Sequence, residues 1–349
     1  MVQAFGPLIF GLTVGSMVVS AAGVWITIRL ADKVGIIDVP NQRSSHTVPI
    51  PRMGGIAMVA AAILPLGCWA WLAAGEMFHD RGLPHTMIFA LAMSVLGFWD
   101  DLRSLSPLFR FLVQIAAATL ALWAVSVLLS KSLLAGWTLP GVAWIVTGIF
   151  WIVWMLNLYN FMDGIDGLAG GEAAVAASFF FLIFAYFGES GWAVANLFVA
   201  AASMGFLVFN WPPAQVFMGD SGSAFLGAFF GMQSVMAALS TPVPFLVLVL
   251  PFANFILDTT ATLIRRMLRG EKWYEAHRSH IYQRMTNLGL SHSKVTGMEL
   301  ISVVLSCVAA VWYLRSGLPG RVATVAFVMI GLVAGGIWIS RKERACGTL

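Results

Sequence analysis

The chain has 349 residues, of which 59% are hydrophobic and only 10% charged, with a mean hydropathy of +0.86. That excludes a soluble domain of this length and points to an all-α, polytopic membrane protein. A β-barrel is excluded as well. Its segments alternate over about ten residues, whereas the apolar runs here are continuous and about twenty long.

Eleven spans are expected, roughly over 5–29, 53–75, 85–99, 108–129, 139–157, 167–187, 191–209, 222–240, 243–265, 298–314 and 322–340. The first lacks a basic start and is too long for a cleaved signal peptide, so it reads as a retained span. An odd number of spans puts the termini on opposite sides. One set of alternate loops plus the C-terminal tail carries all but four of the 20 Lys and Arg. The other side holds only Arg81, Lys131, Arg315 and Arg321. By the positive-inside rule the basic side is cytoplasmic, the N-terminus outside and the C-terminus inside. The net charge of +4 is thus explained by topology and calls for no nucleic acid. Cys68, Cys307 and Cys346 form neither a disulfide framework nor a metal spacing.

The first cytoplasmic loop, DKVGIIDVPNQRSSHTVPIPRMGG, is too rich in Pro and Gly for a long helix. Its Arg43, His46 and Arg52 suit anionic headgroups or a phosphorylated substrate, or are simply basic loop residues. The third span ends in FWDDLRSLSPLFR. Asp100 and Asp101 side by side repel each other unless a divalent cation or a shared proton relieves them, or unless both are solvated.

The stretch 157–172, NLYNFMDGIDGLAGGE, sets Asn160, Asp163 and Asp166 three residues apart. In a first helical turn they would share one face, with Gly164 and Gly167 leaving the backbone beside them uncovered. Carboxylates at a bilayer usually line an aqueous cavity and do chemistry or bind ions. A polar cap joining two spans is the plainer reading.

Between the seventh and eighth spans lies FNWPPAQVFMGDSGSAFLG. Pro212 and Pro213 stop one helix, and 219–223, GDSGS, opens the next. Free N–H groups at a helix start suit phosphate. Asp220 among them suggests a metal–pyrophosphate site, since Mg²⁺ keeps one or two carboxylates plus substrate oxygens. Asp220 as a plain N-cap is the alternative.

The longest cytoplasmic loop carries His277, Arg278 and His280 between aromatic residues. A cationic clamp on a substrate phosphate or sugar fits better than zinc, which lacks Cys or carboxylate partners at ligand spacing. A basic interfacial helix remains the alternative. Asp100, Asp101, Asp163, Asp166 and Asp220 all fall at cytoplasmic span ends, with Asp258 a few residues inside the ninth span. The spans from Met298 onward carry no acidic motif and read as scaffold.

In order along residues 38–285, PNQRSSHTVPIPRMGG, Asp100-Asp101, NFMDGIDGLAGG, FNWPPAQVFMGDSGS and the His280 loop resemble the polyprenyl-phosphate N-acetylhexosamine-1-phosphate transferases. The last loop, RSHIYQR, is most similar to that of the bacterial O-antigen initiators. The resemblance implies a single membrane transferase domain in the bacterial inner membrane, active on its cytoplasmic face. It implies that undecaprenyl phosphate attacks the β-phosphate of a UDP-N-acetyl-sugar, releasing UMP. It implies Mg²⁺, or Mn²⁺ in its place, on Asp220 with Asn160 nearby. Asp166 and Phe217 would meet the nucleotide, Phe217 stacking on uracil. Asp100 and Asp101 would sit at the lipid-phosphate end, with Asp163 and His280 as further catalytic candidates and Asn210 as a pocket position. A homodimer is compatible with all this. The peptidoglycan enzyme has a run of adjacent histidines in this loop and the enterobacterial antigen type a His-x-His-His pattern, at whose second and third His Tyr282 and Gln283 stand here; this departure argues against a muramyl-pentapeptide substrate. A cation- or proton-coupled transporter is the rival reading, but it would place its acids near the midplane, often within repeats. A CDP-alcohol phosphotransferase would need an Arg that 163–170, DGIDGLAG, lacks.

Overall fold

The computed structural model describes residues 2–34, 37–38, 49–72, 82–129, 139–272 and 277–345. Among them, eleven helical segments are long and apolar enough to cross a membrane, matching the eleven expected spans. They are α1 (Val2–Val34), α2 (Gly54–Leu72), α3 (Gly82–Arg103), α4 (Pro107–Leu129), α5 (Leu139–Met162), α6 (Leu168–Tyr186), α7 (Ser190–Asn210) and α8 (Gly219–Ser240). A ninth, composite span follows, and then α12 (His292–Arg315) and α13 (Leu318–Ala345). The composite span runs as α9 (Phe245–Val249), a 3₁₀ turn at Leu250–Phe252 and α10 (Ala253–Leu268). Pro251 sits in that turn, where its missing N–H prevents a continuous ladder.

Two very short strands, β1 (Ile37–Asp38) and β2 (Ile50–Pro51), pair antiparallel and bracket the first loop. A short helix, α11 (Ile281–Asn287), lies in the last long loop.

Helix α8 is the axis of the bundle, and its apolar side chains are buried along most of its length. Small residues let neighbours approach it closely, as lipid-embedded helices require. A Cβ at Gly97 of α3 would overlap the carbonyl of Asp220. One at Gly55 of α2 would stand 2.6 Å from the Cα of Gly222. These two contacts press the ends of α2 and α3 against the first turn of α8, and so fix where Asp220 lies. The outer helices α1, α4 and α13 present Phe10, Leu120 and Phe327 outward, as surfaces facing acyl chains do.

Candidate active site

The acids of separate helices meet around the first turn of α8. Asp101, at the end of α3, accepts the N–H groups of Asp220 (3.0 Å) and Ser221 (3.1 Å). Its side chain is only 1% exposed, and the Arg52 guanidinium stands 3.7 Å away. Asp101 therefore fills the seat at the positive end of α8 that the sequence reserved for phosphate.

Its neighbour Asp100 turns elsewhere, accepting the N–H of Leu105 at 2.7 Å and pairing with Arg110. Solvation does not relieve the pair, because both side chains are buried. The two carboxylates part, and protein donors offset each one.

Asp220 is not the N-cap of α8; Met218 is, and Asp220 lies in the first turn. Its Oδ1 accepts from Asn160 Nδ2 at 2.8 Å, and its Oδ2 lies 3.4 Å from Arg110. A quarter of its side chain stays exposed. Arg110, which the sequence offered only as a topological charge, bridges Asp100 and Asp220.

Asn160, Asp163 and Asp166 do not open a helix. Asn160 lies in the last turn of α5, and the two Asp lie in the five-residue link to α6. They therefore diverge. Asp163 faces the acids, and among the described residues it has no hydrogen-bond donor. Burial, and then the charges of Asp101 and Asp166, push its carboxyl up to about 7, although Arg52 pulls the other way. Asp166 points to the opposite flank, where it accepts from the N–H of Ala214 (3.0 Å) and lies 3.2 Å from His292 Nδ1. Burial would raise Asp166, but the His292 bond, the Ala214 N–H and the His292 charge together hold it below the ordinary carboxylate value.

Asn210 braces rather than opens the pocket. It accepts from the Gly167 N–H at 3.0 Å and donates to the Val216 carbonyl at 2.8 Å. Gly167, at φ 75°, takes the left-handed turn that this closure requires. Phe217 is half-buried, and its backbone is stitched to Pro51 and Gly54 beside α2. Arg43 and His46 lie outside the described residues.

Around His280 the last loop is buried rather than interfacial. His280 and Tyr282 are nearly inaccessible, and the Tyr282 hydroxyl donates to the Phe161 carbonyl at 2.8 Å. Gly164 exists for that contact, because a Cβ there would collide with the hydroxyl. Burial, then Asp258 and Asp163, push the Tyr282 phenol well above its ordinary value. Arg278 is near enough to act on it in the opposite sense. The His277 and His280 rings stack at 4.9 Å, both beside Phe161. Asp163 is thus flanked by the acids on one side and the histidine loop on the other.

Residues 83–238 match the model of "Glycosyl transferase family 4". Over 317 residues the chain is 31% identical to "Probable undecaprenyl-phosphate N-acetylglucosaminyl 1-phosphate transferase" of Bacillus subtilis, covering 86% of this chain and 84% of that one. The chain belongs to the polyprenyl-phosphate N-acetylhexosamine-1-phosphate transferase family. It is 28% identical to "Decaprenyl-phosphate N-acetylglucosaminephosphotransferase" of Mycolicibacterium smegmatis, over 91% of this chain and 85% of the relative. It is 25% identical to "Undecaprenyl-phosphate alpha-N-acetylglucosaminyl 1-phosphate transferase" of Escherichia coli K12, over 86% and 83%.

In this family member Tyr282 and Gln283, the departures from the histidine pattern, are bracing residues. Gln283 Oε1 accepts the His280 N–H at 3.3 Å. The last spans are more than scaffold. Thr296 of α12 bonds the Asp166 carbonyl at 2.8 Å, and Glu299 accepts from Asn254 at 2.9 Å deep in the bundle. Glu172 of α6 is wholly buried with both carboxyl oxygens unbonded among the described residues. The sequence held one signal for these acids: charged letters inside apolar runs.

Proposed function

We propose that this transferase moves N-acetylglucosamine-1-phosphate, or that of a close N-acetylhexosamine, from its UDP-sugar to undecaprenyl phosphate. UMP leaves, and a lipid-pyrophosphate-sugar remains in the membrane. The observation that carries the reading is the gathering of Asp100, Asp101, Asn160, Asp163 and Asp220 from three helices and one link into one place. The names of the relatives supply the sugar and the polyprenyl acceptor. The gene product would begin a surface polysaccharide such as O-antigen, as a single transferase domain in the inner membrane. The distribution of Lys and Arg supports a cytoplasmic site.

The residues fit a divalent cation of the Mg²⁺ kind. Among the described residues no three His, Cys, Asp or Glu side chains could enclose a metal. Mg²⁺ needs less, because it takes one or two carboxylates and completes its shell with water and substrate phosphate oxygens. Asp220 would hold it, with Asn160 beside it. The ion would offset the repulsion between two anionic substrates. Arg52 and Arg110 add positive charge to the same cleft, where an incoming phosphate needs it. Asp166, Asn210 and His292 hold the 211–216 loop, and with it Phe217, at the edge where a nucleotide base would enter.

The test is transfer of radiolabelled sugar phosphate into extractable lipid, using a panel of UDP-sugars with and without added polyprenyl phosphate. Transfer from an N-acetylated donor that requires the lipid is the expected result. Cation flux through proteoliposomes with no transfer would favour the transporter instead.

A further inference from the structure

Asp258 belongs to no motif that carries the proposed chemistry, yet it is one of the most fully used side chains in the protein. It lies on α10, 5% exposed. Its Oδ1 accepts the N–H of Ile281 (2.8 Å) and the hydroxyl of Thr262 (3.1 Å), and lies 3.1 Å from His280 Nδ1. Its Oδ2 accepts the N–H of Tyr282 at 3.1 Å. Asp258 therefore caps the start of α11 and holds the imidazole before it.

The bonding decides which histidine nitrogen carries a proton. Backbone N–H groups can only donate, so both carboxyl oxygens of Asp258 act as acceptors. Oδ1 already receives two donors and has no room for a proton of its own. The proton between Oδ1 and Nδ1 must then sit on Nδ1. The ring cannot turn to offer the other nitrogen. It is 2% exposed, stacked between His277 at 4.9 Å and Tyr282 at 5.8 Å. Nε2 is buried and has no hydrogen-bond partner among the described residues. A buried polar atom left unbonded is costly, so a partner from outside the chain would be favoured there.

We propose that Asp258 is the positioning residue that fixes His280 as the Nδ1–H tautomer and reserves Nε2 to accept a hydrogen bond from the sugar-nucleotide. The donor is a sugar hydroxyl or the acetamide N–H. This rests on the transferase reading above, and Asp258 acts only through His280.

The test has two arms. In the first, ¹⁵N-histidine NMR of the full-length protein in detergent assigns the His280 tautomer, with a His280→Gln sample identifying its signals. A proton on Nδ1 with Nε2 bare is expected; a proton on Nε2, alone or together with one on Nδ1, overturns the proposal whatever the activity. In the second arm, Asp258→Ala removes the acceptor that holds the proton on Nδ1 and leaves the ring free to move it to Nε2. A reversed tautomer in another enzyme lowers kcat by about 10⁴-fold. Here we expect kcat/KM to fall by about 10²-fold or more, with the proton no longer fixed on Nδ1 in the NMR. UDP-sugar analogues lacking single hydroxyls or the acetamide N–H separate positioning from mere support. One of them should give wild type and variant the same kcat/KM, because the group that Nε2 reads is gone. If every analogue preserves the gap, substrate does not read the tautomer and the proposal fails. If wild type transfers from no UDP-sugar, the functional reading fails, while the NMR result still reports on Asp258.

Discussion

Replacing Asp163 by Asn tests the charge balance of the cleft. The carboxyl is pushed from its ordinary 3.8 to about 7 by burial and by its acidic neighbours. Each unit is worth about 1.4 kcal/mol, so the ionised form costs the fold at most about 4 kcal/mol. Water reaching the half-buried side chain lowers that figure. The sign follows from linkage. A carboxyl raised in the folded state imposes no cost below roughly pH 4, where it is neutral folded and unfolded. The cost grows as pH rises from there and is complete above about pH 7. Asp163→Asn removes it. In detergent, the melting temperatures of wild type and variant should therefore coincide near pH 4 and separate as pH rises. By pH 8 the variant should lead by several degrees, taking about 2 °C per kcal/mol. Mg²⁺ should narrow the gap by stabilising wild type more. Parallel curves, or a variant less stable at high pH, would refute the idea that burial and the acidic neighbours of Asp163 outweigh the pull of Arg52.

Three other outcomes follow from the packing and the charge pattern. Asn210→Ala strands the buried N–H of Gly167 and the carbonyl of Val216. It should lower stability by about 2–4 kcal/mol, read as a fall in melting temperature, and His292 should part from Asp166. Gly97→Ala puts a methyl into the Asp220 carbonyl; the yield of folded protein should drop sharply, whereas Gly67→Ala, which meets nothing within 4 Å, should be silent. In a cysteine-free background, a cysteine placed at Ser104 should react with an impermeant maleimide only in inside-out vesicles. One at Glu189 should react only in intact cells. The reverse would overturn the assignment of sides.

The eleven spans were legible because each is a long apolar run, and hydropathy alone finds such runs. The gathering of acids on one face was legible because Asp100, Asp101, Asp163 and Asp220 all fall at corresponding span ends. What each acid does there was not legible. Asp101 reaches the start of α8 from 119 positions away in sequence, and no local pattern reports such a pairing. The same applies to Asn210, whose two bonds join two links, and to Arg110, which looked like one more loop charge. The three-residue spacing of Asn160, Asp163 and Asp166 misled because α5 ends between the first and the second. Gly164 and Gly167 are there for close approach and a left-handed turn, not to uncover the backbone. Glu299 stands in no motif and Glu172 only closes the 157–172 stretch outside its three-residue spacing, and only the bundle shows that they share its interior with Asn254.

The central claim is that these converging carboxylates hold a divalent cation between two phosphorylated substrates. Mn²⁺ binding to the purified protein, followed by electron paramagnetic resonance and competed with Mg²⁺, tests it most directly. One Mn²⁺ should bind, Mg²⁺ should displace it, and Asp220→Asn should abolish binding while the melting temperature stays near that of wild type. Undiminished binding in Asp220→Asn, or steady UMP release with all divalent ions chelated, would contradict the claim.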